Sequence, residues 1–118
     1  MKLTLTTPWN PGMNDVGNTY PEIYITQMTD NRTAANFTFI WEAGEFVDVT
    51  NTDDSTTTSV WSKGPGMISQ VAVVAGDDYV AAITAAPLKA TDTAYQSIIR
   101  LLYEKLIDAG MAGTIVDT

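Results

Sequence analysis

The groups able to do chemistry in this chain are its carboxylates. Glu42 and Glu45 flank Gly44, and a pair of carboxyl groups is the minimal kit for acid–base hydrolysis of a glycoside. Nothing in the spacing fixes their separation, and a chain this short leaves little material for a sugar cleft around them. Asp48, Asn51, Asp53 and Asp54 gather oxygen ligands in one loop. Calcium takes about six to eight oxygens, and its best-known loop needs Gly and Glu at set positions. The 48–54 segment lacks that pattern and reads as a solvated turn. Asp77 and Asp78 are adjacent and suit the positive end of a helix dipole. Gly64-Pro65-Gly66 lacks both the spacing and the Lys-Ser/Thr pair of a phosphate loop. No catalytic group, cofactor or metal site is therefore expected.

Missing residue types point the same way. The chain has neither Cys nor His, which removes disulfides, thiolate nucleophiles, the commonest general base and the commonest metal ligands. Six Lys and Arg stand against fourteen Asp and Glu, a net charge of −8. Nucleic-acid binding rests on basic residues displacing counterions; Lys2, Arg32, Lys63, Lys89, Arg100 and Lys105 are scattered, so no such partner is expected. The start of the chain has one positive charge and no apolar run of signal-peptide length, and no stretch has the length of a membrane span. The N-x-S/T matches at Asn31 and Asn36 read as chance. With 45% hydrophobic residues in 118, one folded domain is expected.

The elements follow from periodicity. Residues 1–21 are dense in Pro, Gly and Asn, including Pro8, Pro11, Gly12, Gly17 and Pro21, and predict an extended N-terminal arm preceding a domain over 22–118. Its apolar handles are Trp9, Met13, Val16 and Tyr20. They either cover the domain's own core edge or order against a neighbouring subunit. Residues 22–30 and 35–41 predict two strands of a hairpin, the second alternating Phe37, Phe39 and Trp41 with Asn36, Thr38 and Ile40. A break is expected over 42–45, then a second hairpin of 46–50 and 56–61 around a polar loop. Residues 67–75, with Ile68, Val71, Val73 and Val74, read as a buried strand.

A short helix over 78–85 follows, with Tyr79, Val80 and Ile83 as its apolar face and Pro87 as its stop. The last long element is predicted over 93–109. Thr93 and Gln96 stand at capping-box spacing, with Asp92 as the alternative cap, and Gly110 suits the position after the helix. Tyr95, Ile98, Ile99, Leu102 and Leu106 form its apolar stripe, with Gln96, Arg100, Glu104 and Asp108 opposite. Ile107 falls on the polar side. Residues 114–116 are available as an edge strand. The fold class is α+β: mostly antiparallel sheet built of hairpins, packed against one long C-terminal helix, with a short second helix and the arm.

The order of elements, the step Gly76-Asp77-Asp78-Tyr79, the helix from Tyr95 through Ile99-Arg100-Leu101-Leu102-Tyr103-Glu104-Lys105-Leu106 to Ala109-Gly110, and the ending Gly113-Thr114-Ile115 are similar to small virion structural proteins of tailed bacteriophages. The resemblance covers roughly residues 22–118. It implies a non-enzymatic protein located in the virion that binds a capsid or tail lattice. A head decoration or cement protein on the major capsid protein fits best, assembling as an oligomer, with neck or tail accessory roles close behind. An acidic monomer that mimics charge and inhibits a basic host protein is the alternative. Trp9, Met13, Tyr20, Phe46, Trp61 and Ile107 are the candidate partner contacts, each also a candidate for ordinary core packing.

Overall fold

Alternation of side chains organises the sheet. Leu3 and Leu5 alternate with Lys and Thr, Ile23 and Ile25 with Glu22 and Tyr24, and Phe37, Phe39, Trp41 and Ala43 with more polar neighbours. A strand sends alternate side chains to opposite faces, and all of these apolar residues are buried in one cluster. The computed structural model describes residues 1–10, 19–64, 69–84 and 89–117. Within them the elements are β1 (Lys2–Trp9), β2 (Tyr20–Asn31), β3 (Asn36–Thr50), β4 (Thr57–Lys63), β5 (Gln70–Ala75), α1 (Asp77–Thr84), α2 (Ala94–Asp108) and β6 (Gly113–Val116). The described strands form one antiparallel sheet in the order β4-β3-β2-β1-β6, with β5 also pairing β3. The fold is α+β, mostly antiparallel sheet with two helices.

The N-terminal segment departs from the arm expected of it. Residues 2–9 are a strand between β2 and β6, and Leu3 and Leu5 are core. Tyr20 and Pro21 already belong to β2, so the boundary drawn at residue 21 cuts through a strand. The alternation of Leu3 and Leu5 outweighs the turn-forming composition that follows it. Residues 11–18, including Met13 and Val16, lie outside the described residues.

The break expected at 42–45 is absent, because β3 runs unbroken from Asn36 to Thr50. Gly44 does not end the strand; it admits a close neighbour. A Cβ built there would sit 2.2 Å from the Ser62 carbonyl oxygen, so only glycine lets β4 approach. One edge of β3 is shared end to end: β5 pairs residues 36–41 and β4 pairs residues 44–50. On the other edge the pairing with β2 stops at Glu22 opposite Gly44, although β2 itself runs on to Tyr20 against β1. The hairpin over residues 45–62 therefore projects past β2.

Two further readings are corrected. β5 is buried on one face only: Val74 packs in the core, whereas Val71 and Val73 are 65% and 58% exposed. Of the apolar face read for α1, Tyr79 alone is buried, and Val80 and Ile83 are exposed.

In α2 the capping box at Thr93 and Gln96 is formed in both directions, and Gly110 follows the helix at φ +115°, where glycine is favoured. The buried side chains are Ile99, Arg100, Leu102, Tyr103 and Leu106, while Tyr95 is 61% exposed. Arg100 leaves the polar face assigned to it because acids wait beneath it. Its guanidinium donates to Asp92 at 2.6 and 3.0 Å and to Asp117 at 2.7 Å, and Lys89 also pairs Asp117. The Arg100 hydrogen bonds hold the Asp92 carboxyl below its ordinary range, and those from Lys89 and then Arg100 do the same for Asp117. This network ties the end of β6 to the start of α2. Tyr103 is fully buried. Its hydroxyl accepts from the Ile25 N–H at 2.9 Å and donates to the Met1 carbonyl at 3.1 Å.

Candidate interaction surface

The open face of the sheet is built by the residues that alternate with the core. Cross-strand register sets Tyr24 opposite Glu42 and Phe46 opposite Trp61. The three rings close into a cluster: Tyr24 and Phe46 have centroids 5.1 Å apart, Tyr24 and Trp61 5.2 Å, and Phe46 and Trp61 5.2 Å. Two carboxylates hold it. Glu42 accepts from the Trp61 indole at 3.0 Å and from the Ser69 hydroxyl at 2.8 Å, with Lys63 at 3.7 Å. Glu22 is buried, pairs Lys2, and accepts from the Phe46 N–H at 2.9 Å. That N–H is the first on its edge of β3 beyond the pairing with β2, so Glu22 caps the ladder where it stops. Lys2 lies 5.3 Å from the centroid of the Phe46 ring, within cation–π range. The cluster is thus held by contacts within the chain itself.

Beyond this root the hairpin is bare. Val47, Val49 and Val60 stand on one of its faces at 37%, 45% and 43% exposure. They continue the core side of the sheet past the point where the helices cover it. The turn at the tip is self-contained. Asn51 donates to Thr56 and Thr58, and Asp54 accepts from both the amide and the hydroxyl of Thr56. Those Thr56 bonds hold the Asp54 carboxyl below its ordinary range. Among the possible cation ligands, Asp54 spends an oxygen on the turn, and among the described residues no group of three acids is placed to hold a metal ion. Glu42 and Glu45 lie on opposite faces of β3, because they stand three positions apart in a regular strand. They do not form a facing carboxylate pair.

Charge is distributed unevenly. All six basic residues make an ion pair within the chain: Lys2 with Glu22, Arg32 with Asp30, Lys63 with Glu42, Lys89 and Arg100 with Asp117, Arg100 with Asp92, and Lys105 with Asp78. Glu45, Asp48, Asp53 and Asp54, all on the projecting hairpin, have no basic residue within ion-pair distance among the described residues. Four of the unpaired acids thus gather on the projecting hairpin.

The six candidate contacts separate. Phe46 and Trp61 come together in the aromatic cluster, joined by Tyr24, which the sequence reading passed over. The alternation of Glu22 and Tyr24 against Ile23 and Ile25 was the signal that places Tyr24 on the open face. Trp9 instead meets Trp41 edge-on at 5.4 Å and covers the rim of the core. Tyr20 is buried, with its ring against Gly64 so closely that a Cβ there would lie 2.2 Å from it. Ile107 is half-buried against the core rather than free on a polar face. Met13 lies outside the described residues. The valines of the hairpin are not marked by the sequence because Val47 and Val49 read as part of a short strand; the end of the β2–β3 pairing at Glu22 leaves them uncovered. No helix of the described residues is long and apolar enough to cross a membrane. Comparison of the chain with protein-family models, with curated proteins and with solved structures finds no significant match.

Proposed function

We propose that this chain is a non-enzymatic structural protein of a phage virion, a decoration or cement protein that binds the major capsid lattice and stabilises it. The observation that carries the reading is the hairpin over residues 45–62: it projects past β2, is anchored at its root by the Tyr24–Phe46–Trp61 cluster, and bears uncovered valines beside unpaired acids. A lever with a rigid root and an apolar, acidic end suits a neighbouring protein surface of apolar and basic character. The resemblance of residues 22–118 to small phage virion proteins supplies the setting. Outward-facing acids on many copies would keep particles apart by like-charge repulsion. Neck or tail accessory placement calls on the same surface.

The test is co-sedimentation of the purified chain with phage capsids freed of accessory proteins. The expected result is saturable binding at a ratio set by lattice sites, weakened at least about tenfold by Val49→Lys, a change of one contact by about 1.4 kcal/mol or more. Absence of binding to capsids, necks and tails at every ratio rejects the reading. The net charge of −8 favours a second one, an acidic inhibitor of a basic host protein. It predicts a partner captured from host extract whose binding falls steeply with salt.

A further inference from the structure

The same hairpin has an edge as well as a face. The Gly64 N–H donates to the Ala43 carbonyl at 3.0 Å and the Asn51 N–H to the Thr56 carbonyl at 2.8 Å. Both fall on the β3–β4 register that sets Val47 opposite Val60. In an antiparallel ladder, hydrogen-bonded and non-hydrogen-bonded pairs alternate. Ser62, Val60 and Thr58 therefore bond to β3, and Thr57, Ser59, Trp61 and Lys63 turn their N–H and C=O groups outward. Among the described residues no strand pairs with that outer edge.

Exposed edges are usually blunted by charge, Pro, bulges or shortness. The other edges here are: the end of β2 that runs past β1 carries a register shift between Ile25 and Gln27 and the acid Asp30. β6 has four residues. The free part of β3 is capped by Glu22 and carries Asp48. β5 is followed, after Gly76, by Asp77 and Asp78, and a symmetric pairing there sets no cation against them. β4 runs seven residues, Thr57-Thr58-Ser59-Val60-Trp61-Ser62-Lys63, in unbroken register and without acid, Pro or bulge. In a chain of net charge −8 it is the stretch that another copy can approach.

We propose that two copies of this chain pair antiparallel through the outer edges of β4, with Val60 on the two-fold axis. This register is the one that uses all four outward-facing residues. Ser59 pairs with Trp61 of the second copy, and Thr57 with Lys63, each pair exchanging two backbone hydrogen bonds. Val60 meets its own counterpart as a non-hydrogen-bonded pair, where side chains come closest. The two valine faces become continuous across the axis. Lys63 of each copy, the one charge on the strand, is brought beside the partner turn that carries Asp53 and Asp54. Asp48 sits one strand back, so three spacings of roughly 4.8 Å put it at least about 14 Å from its symmetry mate, beyond the Debye length of about 8 Å at physiological ionic strength. The inference rests on the assembly reading above and names its homotypic contact. The two fail separately, since lattice binding is scored on capsids and pairing on the free protein.

Sedimentation of the full chain across a concentration series tests it, and a reversible monomer–dimer equilibrium is expected. Ser59→Pro removes an outward N–H that β3 does not use, which an edge strand tolerates. It removes two dimer hydrogen bonds by symmetry and weakens pairing at least about tenfold. Val60→Lys sets like charges against each other and does the same. Mixing V60K with V60E restores a heterodimer, a result that a merely misfolded variant does not give. A chain that stays monomeric throughout overturns the proposal. So does a dimer that keeps its affinity in both S59P and V60K. If S59P fails to fold, the V60K and V60E pair decides alone: a heterodimer upholds the proposal and none rejects it.

Discussion

Replacing Tyr103 by Phe removes one oxygen atom from the centre of the fold and leaves the ring in place. In the β1–β2 register Leu3 stands opposite Ile23, so Met1 falls opposite Ile25, and the Tyr103 hydroxyl spans that position between the two backbones. Next to it the β2–β3 ladder shifts register between Ile25 and Gln27. Burial raises the Tyr103 pKa well above the ordinary phenol range, so the hydroxyl keeps its proton and goes on donating to Met1. In the variant the Ile25 N–H faces a buried ring edge with no acceptor. An unsatisfied buried donor costs about 1–3 kcal/mol, while Met1 is a half-buried residue, so its carbonyl adds less to the cost than the Ile25 N–H. A net destabilisation of about 2 kcal/mol follows, a large share of a typical total of about 5–15. For a domain of this size it lowers Tm by about 6–10 °C. Urea unfolding followed by both far-ultraviolet dichroism and tryptophan fluorescence measures it, as a lower midpoint at unchanged slope. Tyr103→Leu, which also removes ring packing, is expected to cost more. A Phe variant within about 0.5 kcal/mol of the parent, the range of an ordinary surface change, refutes the bridging role.

Gly44→Ala forces a Cβ to 2.2 Å from the Ser62 carbonyl oxygen, and relieving it moves backbone; about 1–3 kcal/mol of destabilisation is expected, with amide exchange accelerated in β4 ahead of β1 and β2. The carboxyls of Asp92 and Asp117 are held below their ordinary range by Arg100 and Lys89. A depressed carboxylate pKa contributes stability that is complete above the unfolded value near 4 and is lost as pH falls through the folded one. Urea midpoints are therefore expected to be flat above about pH 5 and to fall below about pH 4, with Asp92→Asn reducing that slope; a slope unchanged in the variant removes Asp92 from the account.

The local signals were legible in the sequence because they are local. The capping box is written in Thr93 and Gln96, the stop in Gly110, and the core strands in the alternation through Phe37, Phe39 and Trp41, since each depends on neighbours a few residues away. The same alternation at Leu3 and Leu5 was present but was outweighed by the Pro and Asn that follow, and it took the pairing of β1 with β2 and β6 to establish it. Arg100 read as polar surface, because nothing within its helix shows that Asp92 and Asp117 converge beneath it. Gly44 read as a break, because the neighbour that requires a glycine there lies on β4. The candidate surface was decided in the same way. Phe46 and Trp61 stand fifteen residues apart and become a site only when the register sets them face to face beside Tyr24. Val47, Val49 and Val60 carry a pattern no different from that of covered strand residues; what exposes them is that the β2–β3 pairing ends at Glu22 and Gly44. Composition determined that the chain is acidic and has neither cysteine nor histidine chemistry at its disposal. Where the acid collects, which apolar residues stay bare and which edge is left open depend on how far each strand runs past its neighbour, and only the tertiary structure decides that length.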